Sequence, residues 1–212
     1  MPELELEKAT AREDLCRFLA ACHYEPDAAF AEEKVFDSMA AAARRLDPQL
    51  EAGARRLGEA FAAHDLQALL VDYTRLFLGP PSPLAAPYGS IWLSGEGTVM
   101  QESTVALEGL YGEAGFELDQ ELAEMPDHVA VELEFLYLLT FKQNEARRAG
   151  EEVAIAAWNQ LHELFLRGHL GAWIGRFTAA VQANAQTTFY RELAALTALF
   201  VQTEVERLAR PQ

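Results

Sequence analysis

The chain has 212 residues and carries 33 acidic against 17 basic side chains, a formal net charge of -16. That length suits one domain with a sizeable core, and the charge argues against nucleic-acid backbones or anionic lipid surfaces as partners, because both would repel it. No uninterrupted apolar run approaches the roughly 20 residues needed to span a bilayer. The amino terminus also lacks the basic region and apolar run of a secretory signal, so a soluble, cytoplasmic protein is expected.

Helical periodicity begins near Thr10, where Leu15, Phe18, Leu19 and Cys22 fall three or four apart on one stripe. Cys16 and Cys22 sit too far around and along this helix for an easy disulfide and are expected as buried thiols. Pro26 marks a boundary. Asp27 to Leu46 is expected as one alanine-rich helix, with Arg44 and Arg45 near its end, where cations suit the helix dipole. Asp47 and Pro48 read as a cap and a first-turn proline opening a third helix to about His64. A fourth runs from Asp65 to Leu78 through Leu69, Leu70, Tyr73, Leu76 and Phe77. Gly79-Pro80-Pro81 stops it, because proline lacks an amide hydrogen and disfavours helix in the residue before it.

The loop that follows runs into Tyr88, Ile91, Trp92 and Leu93, which are costly to leave in water; they either fold back on the core or line a binding surface. Gln101 to Gly115 reads as a fifth helix, and Phe116 to Met125 as an acidic connector suited to a hinge. Pro126 is expected to open a long helix with no broad polar face, which makes Glu132 and Glu134 conspicuous, since an unpaired buried carboxylate is costly. Three more helices follow, Glu151 to Arg167, His169 to Val181 and Thr187 to about Leu208. No segment alternates with period two. The expected fold is therefore all-α: a single compact helical domain of about nine helices, with lobes at about 1–118 and 127–212 joined by an acidic hinge at about 116–126.

Motifs for chemistry are sparse. His162 and His169 lack the companion ligands of a zinc or di-iron helix motif. Gly95-Glu96-Gly97 lacks the third glycine and the preceding strand of a dinucleotide fingerprint, and no phosphate-loop lysine follows a glycine cluster. Ser82, Ser90 and Ser94 have no nucleophile-elbow context. Asp127 and His128 are adjacent, so on a helix their side chains point about 100° apart, and Asp127 near a helix start is adequately explained by capping. A helical hydrolase or nucleotide-binding protein using Glu132, Glu134, Asp127 and His128 stays open as the enzyme alternative.

One stretch stands out. Leu76 to Phe141 contains no lysine or arginine, yet carries Glu96, Glu102, Glu108, Glu113, Glu117, Asp119, Glu121, Glu124, Asp127, Glu132 and Glu134. A charge run by itself usually means a solvated face. Here Tyr88, Trp92, Tyr111 and Phe116 are interleaved with the carboxylates. Carboxylates pair bidentately with arginine, rings stack on it, and an apolar peptide helix fits the same groove.

The ordered set Tyr73-Thr-Arg-Leu-Phe-Leu-Gly-Pro80, Ala86-Pro-Tyr-Gly-Ser-Ile-Trp92, Met125-Pro-Asp-His128, Leu133-Glu-Phe-Leu136, His169-Leu-Gly-Ala-Trp173 and Phe189-Tyr190 resembles the TorD/DmsD/NarJ superfamily of molybdoenzyme-maturation chaperones, and most closely its TorD/DmsD branch. The resemblance implies a non-enzyme: a chaperone that binds the twin-arginine signal peptide, or the immature catalytic subunit, of a molybdopterin oxidoreductase until its cofactor is loaded. It carries peptide binding onto Tyr73, Leu76, Phe77, Tyr88, Trp92, Pro126, Asp127 and His128; in the binding mechanism expected here, carboxylates including Asp127 and Glu124 meet the arginine pair. It also brings weak guanine-nucleotide binding, a monomer or domain-swapped dimer, and the alternative of an assembly chaperone for a subunit that is not exported.

Overall fold

The computed structural model describes residues 3–79, 82–94, 102–117 and 124–209. Among them eleven α-helices follow one another: α1 (Glu3–Cys22), α2 (Ala29–Glu32), α3 (Val35–Leu46), α4 (Pro48–Ala62), α5 (Leu66–Tyr73), α6 (Gly89–Ser94), α7 (Glu102–Ala114), α8 (Val129–Ala149), α9 (Glu152–Gly168), α10 (Leu170–Asn184) and α11 (Thr188–Leu208). A π-helical turn, Thr74–Leu78, continues α5. The described residues contain no strand, only an isolated antiparallel bridge between Tyr88 and His128. The fold is all-α, and none of its described helices is long and apolar enough to cross a membrane.

One cluster of buried side chains runs through the molecule. It joins Leu15 and Leu19 of α1, Leu50 and Leu57 of α4, Leu133 and Leu136 of α8, Phe165 of α9, Trp173 and Phe177 of α10, and Phe189 and Phe200 of α11. Each such side chain contributes roughly 1.5–3 kcal/mol by leaving water. α1 lies along α8, α4 packs on α3 and α11, and α10 sits between α11, α9 and the short α6. Cys16 and Cys22 are free, buried thiols within this core, and burial pushes the Cys22 thiol up to about 12.

Local chemistry sets several boundaries. Asp47 accepts from the Gln49 amide at 2.6 Å and Asp65 from the Ala68 amide at 2.7 Å, each satisfying an N–H that the first helical turn leaves free. At the end of α5 the Gly79 amide reaches five residues back to Thr74 O (2.9 Å), with Gly79 at φ 83, a backbone state that a side chain disfavours. The turn is anchored at its other side by Asp72. That carboxylate accepts from Arg75 Nη2 (2.7 Å), the Gln186 and Thr187 amides (3.0 and 2.8 Å) and the Thr187 hydroxyl (2.9 Å), tying α5 to the junction of α10 and α11.

The structure corrects three boundaries. The helix expected from Asp27 to Leu46 breaks at Lys34, whose φ of 53 lies in the left-handed region, into α2, which buries no residue, and α3, which buries Val35, Met39, Ala40, Ala42 and Ala43. α1 begins at Glu3, well before Thr10. Pro126 does not open α8; Pro126 and Asp127 form a turn, and the helix starts at Val129 with His128 as its cap. α6 follows the stretch Gly79 to Pro87, expected to be irregular, and carries Ile91, Trp92 and Leu93. Pro80, Pro81, Gly95–Gly97, and residues 118–123 of the expected acidic hinge lie outside the described residues.

Candidate functional site

Pro126, Asp127 and His128 are all buried, and they act as a clamp between three helices. The Gly89 amide donates to Asp127 O and the Val129 amide to Pro87 O, both at 2.8 Å, which is the bridge between Tyr88 and His128. The Asp127 side chain does not cap its own helix. Its Oδ2 accepts from the Ser90 amide at 2.8 Å, so it caps α6, while its Oδ1 is buried without a partner. Tyr111 donates its hydroxyl hydrogen to Pro126 O at 2.7 Å, fastening the turn to α7. His128 Nδ1 accepts from the Ala130 amide at 3.2 Å, which leaves the ring hydrogen on Nε2. Burial pulls the imidazole down to about 4, so His128 is neutral near pH 7.

Around His128 the chain gathers rings and carboxylates. Tyr24, just past α1, stacks on it with centroids 5.9 Å apart, and Tyr88 meets it edge-on at 5.5 Å. The Tyr24 hydroxyl donates to Glu134 Oε1 at 3.1 Å. Tyr73 completes the group: burial pushes its phenol up to about 12, with the charges of Glu124 and Glu25 adding to the rise. Burial likewise raises the phenols of Tyr24 and Tyr88, with Glu134 and Glu124 reinforcing the first and Glu124 and Asp127 the second. Glu124 and Glu134 are themselves half-buried, and desolvation lifts both carboxyls; the Met125 amide partly offsets this for Glu124 and the Tyr24 hydroxyl for Glu134. Among the described residues no cation pairs with Glu25, Glu124 or Glu134. The result is a cradle of phenols and carboxylates around a neutral imidazole, suited to hold a cation with an apolar neighbour.

The cradle has a rigid floor. Glu132, 1% exposed, accepts from Trp173 Nε1 at 3.1 Å on one oxygen and 3.2 Å on the other. Burial holds its carboxyl well above the ordinary range; the indole hydrogen bond opposes that shift and the Asp127 charge adds to it. One neutral donor shared by two oxygens does little to offset the desolvation of an anion, so burial favours the protonated form of Glu132. Gly89 rests directly on this pair, and a Cβ there would meet Glu132 Oε1 and Trp173 Nε1 at 2.9 Å each.

Of the residues singled out from the sequence, the structure brings Tyr73, Tyr88, Glu124, Asp127 and His128 into one neighbourhood. Leu76 and Phe77 are core residues, 0% and 4% exposed, and Tyr73, at 7%, belongs to the same buried cluster, with Phe77 against Tyr73, Tyr190 and Phe177. Trp92 is half-buried, donates its Nε1 hydrogen to Ala86 O at 2.8 Å and turns edge-on to Phe177. Glu134 was marked as conspicuous and placed in the enzyme alternative rather than among the peptide-binding residues, and Tyr24 and Glu25 were not singled out. Their one local signal is an aromatic and an acid just before the helix-ending Pro26. Arg75, the cation of the Tyr73–Pro80 segment, is taken up by Asp72 and Asn184 O. A cleft of about 300 Å³ lined by Leu70, Val71, Thr74 and Gly79 shares only the neighbourhood of α5 with these groups. The described residues include no group of three or more His, Cys, Asp or Glu placed to hold a metal ion.

Residues 43–179 match the family model described as nitrate reductase delta subunit. The chain is similar to the chaperone protein TorD of Vibrio parahaemolyticus, 29% identical over 133 residues, which cover 62% of this chain and 60% of that one. It is 31% identical over 147 residues to the perchlorate reductase assembly chaperone protein of Dechloromonas aromatica, covering 65% and 62%. With the Tat proofreading chaperone DmsD of Salmonella typhimurium it shares 29% identity over 145 residues, 66% and 61% of the two chains. The chain thus spans about three-fifths of the length of these relatives, at 60%, 62% and 61%.

Proposed function

The chain belongs to the nitrate reductase delta subunit family, and on that premise we propose that it is a maturation chaperone, acting by binding and release without covalent chemistry, for the catalytic subunit of a molybdopterin oxidoreductase. The bound element is the twin-arginine leader of that subunit, held on the cytoplasmic side until the subunit is complete. Relatives named as chaperones for assembly or proofreading support the class. The observation that carries the ligand is the cation-free cradle, in which Glu124 and Glu134 stand half-buried beside Tyr24, Tyr73 and Tyr88 with no arginine or lysine of the chain to pair with among the described residues. Guanidinium groups match that set: they pair with carboxylates, lie flat on rings, and are weakly hydrated enough to enter a half-buried site.

The electrostatic part acts beyond contact. With a formal net charge of -16 the protein attracts a basic leader before docking, an effect that falls with ionic strength as the Debye length shrinks to about 8 Å at physiological salt. Titration calorimetry with a synthetic twin-arginine leader tests the reading. Affinity is expected at low salt, weakening with added salt and with both peptide arginines replaced by alanine; absence of binding at low salt removes it. Co-purification followed by identification of the partner distinguishes an exported client from a subunit that stays in the cytoplasm.

A further inference from the structure

A narrower assignment rests on that reading of the cradle. Tyr24 and Glu134 lie 110 positions apart in sequence and are joined by one hydrogen bond, phenol to Oε1 at 3.1 Å. Glu134 is two residues beyond Glu132 on α8, about 200° around the helix, so Glu132 turns into the core against Trp173 while Glu134 is half-exposed beside Tyr24. Several other carboxylates have arginine partners within the chain. Asp72 has Arg75, Glu204 has Arg12 and Arg207, Glu51 has Arg44 and Arg55, and Glu192 has Arg56. Glu134 has a phenol and no cation. Its second oxygen takes part in no hydrogen bond among the described residues, and the adjoining Tyr24 ring is braced from behind by His128.

We propose that Tyr24 and Glu134 are the specificity-determining pair for one arginine side chain of the bound segment. The carboxylate, turned by the Tyr24 hydroxyl, accepts from the guanidinium, and the braced ring carries the flat face of the same group. A lysine ammonium is a compact, strongly hydrated point charge that makes only a single-point version of the first contact and forfeits the second. The pair therefore selects arginine over lysine and does more than attract positive charge. Glu134 lies within residues 43–179, the segment that matches the family model, and Tyr24 lies outside it, just past α1.

The test compares the full chain with Glu134→Gln, Tyr24→Leu and, as a control for loss of one charge, Glu145→Gln on the exposed side of α8. Each is titrated with a twin-arginine leader and with the same peptide carrying two lysines, after thermal unfolding has shown that each variant is folded. The unaltered chain is expected to favour the arginine peptide by about tenfold or more, the scale of a bidentate, stacked contact over a point charge. Tyr24→Leu is expected to shrink that ratio towards one, Glu134→Gln to weaken the arginine peptide more than the lysine one, and Glu145→Gln to change neither ratio. A ratio that survives in both site variants overturns the assignment while leaving the cradle standing. Failure of the unaltered chain to bind the arginine peptide overturns both.

Discussion

Replacing Glu132 by glutamine tests whether the floor of the cradle is neutral. Glu132 is 1% exposed and its two oxygens share one indole N–H, at 3.1 and 3.2 Å, so burial keeps the carboxyl protonated well above the ordinary range. Below about pH 4.3 the unfolded chain also binds this proton, and the group then gives stability no pH dependence. Above that pH the native state holds one proton more than the unfolded state, so the stability of the unaltered protein falls as pH rises, by up to ~1.4 kcal/mol per pH unit, until the folded-state pKa is passed. Glutamine keeps the size and an acceptor for Trp173 and has no proton to lose. At pH 5 the two proteins are expected within about 1 kcal/mol of each other. At pH 7 Glu132→Gln is expected to be the more stable by about 1–3 kcal/mol, the accumulated proton linkage less any loss in hydrogen-bond geometry. Glu132→Ala leaves a void and an orphaned indole N–H, and is expected to lose about 2–5 kcal/mol. Thermal unfolding followed by circular dichroism across pH 5–8 reads all three, at roughly 2–4 °C per kcal/mol for a chain of this size. A deficit for the glutamine variant that widens as pH rises would show that Glu132 is an anion in the folded protein and refute the reasoning.

The neighbouring glycine gives a steric test. Gly89→Ala drives a methyl to 2.9 Å from both Glu132 Oε1 and Trp173 Nε1, so a loss of about 1–3 kcal/mol is expected, together with weaker leader binding as α6 and Tyr88 shift; a normal unfolding temperature would mean that the floor yields. Asp72→Ala strands Arg75 and three donors of the α10–α11 junction and is expected to lose about 3–5 kcal/mol in chemical denaturation, a deficit under 1 kcal/mol being the contrary result. Burial pulls His23 and His162 down to about 3 and His128 to about 4 from an ordinary 6.5, with lesser lowering of His23 by His128 and of His162 by Arg207, Arg147 and Arg12. The stability these groups contribute is complete above about pH 6.5 and is lost as pH falls through their folded values, because the unfolded chain takes up protons that the native state refuses. His162→Gln is expected to flatten that acid limb by up to ~1.4 kcal/mol per pH unit, and an unchanged slope would count against it. Burial also raises the carboxyls of Glu124 and Glu134, so leader binding is expected to fade on acidification while solvated carboxylates are still charged; a titration flat down to pH 4.5 would contradict this.

What the sequence determined by itself was local. The 3.6-residue spacing of apolar side chains on α4, α5 and α9 to α11, the caps Asp47 and Asp65, and the stop at Gly79 all depend on atoms within about four residues of one another, so they are legible in order along the chain. The charge pattern was legible too, since an absence of lysine and arginine from Leu76 to Phe141 needs no coordinates. Tertiary structure decided the site. α6 exists because a carboxylate 37 positions further on caps it. Leu76 and Phe77 face inward because the π turn and the α10–α11 junction enclose them. Tyr24 enters the cradle because α1 lies along α8 and brings it to Glu134. A side chain's type says what it can bond, but not which distant element will present the partner; that is settled only when the helices pack.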